Sequence, residues 1–118
     1  MTPSCSESLR LFIEREETRK KKRYDAILAR LDQAAMRLVS RFPTITRVMI
    51  IGSLLTPQVF REDSDVDVVV CGLSNEEYFD AFFLLEHELQ GPVDLIREEE
   101  MPEKLRRRLE SALTVYAS

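Results

Sequence analysis

Tryptophan is absent from this sequence, histidine occurs once, cysteine twice, and only three glycines and five prolines interrupt its 118 residues. Each scarcity removes a class of function. A His-based catalytic triad or a zinc hydrolase would have to draw on His87 for everything, so both are set aside. Cys5 and Cys71 are too few for a disulfide framework, which points to a reduced, cytoplasmic setting. No apolar run approaches the roughly 18–20 residues of a bilayer crossing. Residues 1–8 lack the charged-then-apolar pattern of a secretion signal. The 44% hydrophobic and 32% charged content argues against disorder, collagen or low complexity. No internal repeat is visible.

The charge that is present is uneven. Residues 1–50 carry 11 Lys and Arg against 6 Asp and Glu, whereas residues 51–118 carry 6 against 15. A basic arm on an acidic body suits duplex DNA poorly, because the body repels phosphate. Direct nucleic-acid binding is therefore not expected. An acidic body does suit a site for a divalent cation.

Residues 7–41 contain no Gly or Pro and read as a long helix, with Tyr24, Ile27, Leu28, Leu31, Ala34, Ala35, Leu38 and Phe42 at helical spacing. In Glu14–Arg23 every residue but Thr18 is charged. This stretch reads as a solvated extension supported by Glu16–Lys20 and Glu17–Lys21 pairs, or as a partner-docking or nucleic-acid-steering arm. Phe42-Pro43-Thr44 ends the helix. Strands are expected at 46–51, 65–71 and 93–97. Residues 54–60 are ambiguous, with Pro57 allowing only a short helix. A helix capped by Ser74 or Asn75 runs to about Leu89 and stops at Gly91-Pro92. A last helix starts at Pro102 and runs to about Tyr116, with Leu105, Leu109, Ala112 and Leu113 inward. The order α-β-(α)-β-α-β-α predicts a small α/β (α+β) sandwich: a mixed sheet of three to four strands flanked by helices. Phe79, Phe82, Phe83 and Met49 read as core, His87 as a surface residue, and Glu98-Glu99-Glu100 as a solvated loop.

Asp65 and Asp67 are one residue apart on an expected strand, so both face one side. Two adjacent carboxylates on a buried strand repel each other and need a cation or donors. Mg²⁺ prefers such oxygen ligands. Asp94, within Val93-Asp94-Leu95-Ile96, is a third. If its strand neighbours the pair, the three converge, enough for two metals. The plainer alternative is that Asp63 and Asp65 cap a turn and Asp94 pairs with Arg97 or Arg61. Gly52-Ser53 closes the first strand, where glycine lets a phosphate approach the backbone and a following helix start favours anions.

Ile50-Ile51-Gly52-Ser53, Asp63-Ser64-Asp65-Val66-Asp67-Val68-Val69-Val70 and Val93-Asp94-Leu95-Ile96 together resemble the minimal nucleotidyltransferases of the DNA polymerase β superfamily. The likeness covers about residues 46–97 by motif. It implies a single nucleotidyltransferase-like domain over 1–118, with an N-terminal helical arm at 1–42 and a catalytic core at 45–118. It implies that Gly52 and Ser53 contact the β- and γ-phosphates of a nucleoside triphosphate, with Ser64 and Arg61 in the nucleotide-binding set. Asp65, Asp67 and Asp94 become the catalytic, metal-binding carboxylates of a two-Mg²⁺ site. Leu54–Ser64 is one residue longer than the family's spacing, and the Arg that usually follows Gly-Ser is missing, with Arg61 as a substitute.

The implied reaction is nucleotidyl transfer, with ATP the expected donor. A chain of this length has no room for an acceptor-holding domain, so the acceptor is expected on another macromolecule. Small relatives pair with helical HEPN toxins, adding AMP to a tyrosine, which makes a HEPN protein the expected partner. A homo-oligomer is an open possibility. Two other readings stand beside this one. The first is a catalytically idle module that neutralises a partner by contact. The second is a structural or nucleic-acid-associated α/β domain using Lys20–Arg23 and Arg106–Arg108 as patches.

Overall fold

A computed structural model describes residues 4–118. Helix α1, Cys5–Arg41, starts where the Ser4 hydroxyl accepts the Glu7 N–H at 3.2 Å. Its buried residues, Ile27, Leu31, Ala34, Ala35 and Leu38, all belong to the C-terminal half. Leu28, expected in the stripe, is exposed. Residues 4–15 are exposed throughout and project as an arm. A helix of 37 residues is about 55 Å long, which accounts for the 62 Å long axis of the molecule. Glu16 pairs with Arg19 at 3.0 Å and Glu14 with Arg10 at 3.9 Å, instead of the expected Glu16–Lys20 and Glu17–Lys21. Arg23 is not a solvated cation. Its Nη1 donates to the carbonyls of Arg61 and Glu62, and its guanidinium lies 5.1 Å from the Phe60 ring centroid, tying the 60–62 loop to the helix.

Four strands form one sheet in the order β3-β2-β1-β4. These are β1, Arg47–Ile51; β2, Val66–Cys71; β3, Val93–Arg97; and β4, Leu113–Ala117. β1 runs antiparallel to β2 and β4, and β3 lies parallel to β2. Helix α2, Tyr78–Leu89, makes the crossover between the parallel pair. It begins after a turn in which the Ser74 hydroxyl accepts the Glu77 N–H and donates to the Glu77 carboxylate. Gln90, at φ +53°, is its left-handed end. Of the α2 aromatics Tyr78 and Phe82 pack against the core; Phe79 and Phe83 are exposed, contrary to expectation. Met49 is core and His87 exposed, as expected.

The strands separate two faces. Val48, Ile50, Val66, Val68, Val70, Val93 and Leu95 point towards α1 and α2 and form the main core with Leu38, Phe60 and Leu85. Met49, Ile51 and Val69 point the other way and are covered by Met101, Leu105, Leu109 and Ala112. That second cover is thin. The expected helix from Pro102 to Tyr116 is instead α3, Glu103–Arg106, a 3₁₀ segment Arg107–Ser111, and β4. The edge of β1 exposes a row of unpaired backbone groups. Pairing them with Leu113–Ala117 outweighs the local helical spacing of the apolar residues. Glu98–Glu100 is a 3₁₀ turn with defined partners: Glu98 takes Arg47 at 2.9 Å, Glu99 takes the Gly72 N–H at 2.6 Å, and Glu100 takes Arg97 at 2.6 Å.

Candidate functional site

β1 and β2 are antiparallel, so the last residue of β1 meets the start of β2. Ile51 is registered with Asp67, and Asp67 with Asp94 on the parallel strand β3. Neighbouring strands lie about 4.8 Å apart. Asp67 and Asp94 are therefore side by side on the thinly covered face, opposite Val66 and Val68. Asp65 stands one residue before β2 and is exposed. Gly52 follows Ile51 at φ +81°, and a Cβ built there would lie 2.1 Å from Asp67 Oδ2. Glycine is thus required twice, by its backbone and by the carboxylate pressed against it.

Gly52, Ser53, Thr56 and Asp67 line an open cavity of about 580 Å³ together with Arg108 and Ser111. Larger concavities, of about 660 Å³ between α1 and Pro57-Gln58 and about 820 Å³ beside α3, bring together neither the glycine turn nor the strand carboxylates. Ser64 and Arg61 do not line the cavity. They close a turn in which the Arg61 N–H donates to the Ser64 hydroxyl at 2.9 Å. Arg97 pairs with Glu100 and donates to the Leu73 carbonyl, so it is not the partner of Asp94. The segment after Gly52 is a four-residue 3₁₀ turn, Gly52–Leu55, too short to present the helix N-terminus expected for anions.

Burial raises the Asp67 carboxyl above its usual range, Asp94 and Asp65 add to the rise, and Arg108 opposes it. The Tyr78 hydroxyl, which donates to the Leu95 carbonyl, is raised by burial and then by Asp94 and Glu100. Like-charged carboxylates close together disfavour one another's charged form, and nearby positive charge relieves this.

No protein-family model and no curated protein matches the sequence. Solved structures do match. A toxin–antitoxin crystallised with AMP-PNP is 18% identical, with a TM-score of 0.62 over 74% of this chain and 73% of that one. The complex of a tri-AMPylated Shewanella oneidensis HEPN toxin with its MNT antitoxin gives 17% identity and a TM-score of 0.56, covering 74% and 70%. A candidate nucleotidyltransferase from Sulfolobus solfataricus gives 20% and 0.51, covering 81% and 85%. The chain has the nucleotidyltransferase fold. The resemblance read from Gly52-Ser53, Asp65-Val66-Asp67 and Asp94 therefore led to the right architecture.

Within this nucleotidyltransferase fold, the lining residues that escaped the sequence reading are Leu55, Thr56 and Val59 of the segment after Gly52-Ser53, and Arg108 and Ser111 from the C-terminal segment. Arg108 and Ser111 reach the cavity because β4 pairs with β1 and returns the C-terminal segment to the Gly52 end of the sheet. Thr114-Val115-Tyr116, a β-branched and aromatic run, was the available signal.

The carboxylates suit Mg²⁺ by their chemistry, being hard oxygen donors that repel one another without it. Among the described residues no group of three or more His, Cys, Asp or Glu side chains is placed to hold a metal ion, so the expected convergence of Asp65, Asp67 and Asp94 on a two-Mg²⁺ site is not found: Asp65 is exposed before β2, and Asp67 and Asp94 alone stand in register. Mg²⁺ needs fewer protein ligands, being usually bound through one or two carboxylates with substrate phosphates completing the shell.

Proposed function

We propose that this chain is a Mg²⁺-dependent nucleotidyltransferase that moves AMP from ATP to a hydroxyl of a partner protein, and that the partner is a HEPN toxin which it neutralises as an antitoxin. The observation that carries the reading is the edge of the sheet where Gly52, Ser53 and Asp67 line one cavity with Asp94 in register beside Asp67. The neighbours support the donor and the partner: one was crystallised with AMP-PNP, and another pairs an MNT antitoxin with an AMPylated HEPN toxin.

The proposed roles follow from position. Gly52 leaves the backbone open to the phosphates, and Ser53 offers a hydroxyl and an N–H. Asp67 and Asp65 would hold Mg²⁺, with Asp94 as third carboxylate, a ligand or the acceptor of the hydroxyl proton. Bound Mg²⁺ supplies neutralisation of the triphosphate's charge. The acceptor oxygen attacks the α-phosphorus, the bond from that phosphorus to the bridging oxygen breaks, and pyrophosphate leaves with the electron pair. Since chemistry of this kind is mostly positioning and electrostatics, carboxylates fixed on rigid strands serve it well.

The contact-only reading draws on one observation: Leu54, directly after Gly52-Ser53, is buried in the core and can contact no phosphate. Calorimetric titration of ATP, with Mg²⁺ and with EDTA, into the wild-type chain and the Asp65→Asn/Asp67→Asn double variant separates the two. Binding that needs both Mg²⁺ and the aspartates is expected. Absence of binding under every condition would overturn nucleotidyl transfer and leave contact as the mode of action.

A further inference from the structure

A cavity lined by the Asp67 carboxylate, with Asp94 in register beside it, repels the phosphate chain it is meant to hold, so positive charge must come from the protein as well as from a metal. The loop that follows the glycine turn, residues 52–60, contains no Lys or Arg. Arg61 begins the next turn and stays out of the cavity. Arg108 is the one basic residue lining it. Its backbone is fixed from both sides. Leu105 before it and Leu109 and Ala112 after it pack on the Met49, Ile51 and Val69 face, and Leu113 is registered with Ile50. The other members of the arginine triplet are engaged elsewhere. Arg106 donates to the Glu98 carbonyl at 3.2 Å, and Arg107 lines the concavity beside α3 with Glu103 and Glu110. Among the described residues Arg108 makes no ion pair within the 4 Å range. A guanidinium without a fixed partner, in the same cavity as the glycine turn, is suited to two-pronged contact with phosphate oxygens.

We propose that Arg108 binds the phosphate chain of the nucleoside triphosphate, entering the cavity from the C-terminal segment and supplying the cation that the loop after Gly52-Ser53 does not contain. The role rests on the nucleotidyl-transfer reading and adds a determinant of triphosphate over monophosphate binding. Ser111, in the same cavity, lies beside it and donates its hydroxyl to the Arg108 carbonyl at 3.4 Å.

The test is titration of ATP, ADP and AMP, each with Mg²⁺, into full-length wild type, Arg108→Ala, Arg108→Lys, Arg107→Ala and Asp67→Asn. Arg108 is exposed, so its variants should fold, and circular dichroism checks this. Arg108→Ala should weaken ATP binding by about tenfold or more, the loss of a charged hydrogen-bonded contact. It should weaken AMP binding much less, so that the preference for ATP over AMP collapses. Arg108→Lys should recover part of that preference, and Arg107→Ala should behave as wild type. A purely structural role would weaken all three nucleotides together. If Asp67→Asn loses ATP while Arg108→Ala keeps both the affinity and the ATP/AMP preference, the site reading stands and the Arg108 proposal is overturned. If the wild type binds no nucleotide, the underlying reading fails and this one fails with it.

Discussion

The two faces of the sheet are made by the same strands, yet they have been put to different uses. On the face towards α1 and α2, every inward residue of β1 and β2 is apolar and buried, and the cover is two long helices. On the other face Met49, Ile51 and Val69 are buried under a thin C-terminal segment, and where that cover ends Asp67 and Asp94 stand side by side. A shift of one residue along β2 moves from Val66 or Val68 to Asp67, from core to candidate site. The difference teaches that the period of two in a strand separates an apolar core from a charged candidate site.

The largest effect should come from breaking the helix-covered face. Leu38 is fully buried between α1 and the sheet. Leu38→Ala should cost about 2–5 kcal/mol through lost burial and the cavity left behind. Urea denaturation measures it. A cost under about 1 kcal/mol would mean that this face does not carry the stability assigned to it. Gly52→Ala comes next and acts on the other face. Left-handed backbone and a side chain directed at Asp67 Oδ2 should together cost about 1–3 kcal/mol. The same substitution should abolish Mg²⁺-dependent ATP binding, whereas Leu38→Ala should leave the affinity of the folded fraction unchanged.

How much of this division could be read in advance differs along the chain. Residues 46–97 were legible because alternation of Val and Ile with Asp, closed by Gly52 and Gly72, fixes strand, face and turn locally. The C-terminal segment was not. Leu105, Leu109, Ala112 and Leu113 satisfy a helical spacing, and what overrides it is the free edge of β1, a demand set more than sixty residues earlier. Arg108 was lost with it, because an arginine triplet on an imagined helix looks like a solvated face. Phe79 and Phe83 failed for a related reason: spacing shows that a helix has an apolar stripe, not how wide the surface is that covers it.

Asp67→Asn tests the functional face with a smaller and opposite effect on stability. Burial and the two neighbouring carboxylates raise this carboxyl in the folded chain, so the fold disfavours its charged form. The sign follows directly. Stability from this group is greatest at low pH, where the carboxyl is protonated in both states, and declines as pH rises through the unfolded and then the folded value. Replacing it with Asn should therefore hold or raise the stability to urea at pH 7, by less than about 1 kcal/mol after solvent screening, while removing ATP binding. A clear loss of stability at neutral pH would mean that Asp67 is a structural residue after all.

Glu99 sharpens the comparison at the other end of β2, and it should give the smallest change. Its carboxyl is pushed up by burial but pulled further down by the Gly72 N–H, its own N–H, the Cys71 thiol and Arg97, so that it lies below its usual range. The sign is opposite to that of Asp67. The stability it contributes is fully present above the unfolded value and is lost as pH falls through the folded one. Glu99→Gln should cost about 0.5–1.5 kcal/mol at neutral pH, the net worth of one hydrogen bond, and should leave ATP binding alone. Below the folded value the cost should vanish. Urea denaturation at pH 7 and at low pH reads both. Two carboxylates would then stand near the ends of β2, Glu99 stabilising the fold from the Glu98–Glu100 turn and Asp67 destabilising it from the strand itself. A destabilising charge beside an open cavity marks a candidate binding group. A cost of Glu99→Gln that persisted at low pH would remove that contrast, since the hydrogen bond would then owe nothing to the charge.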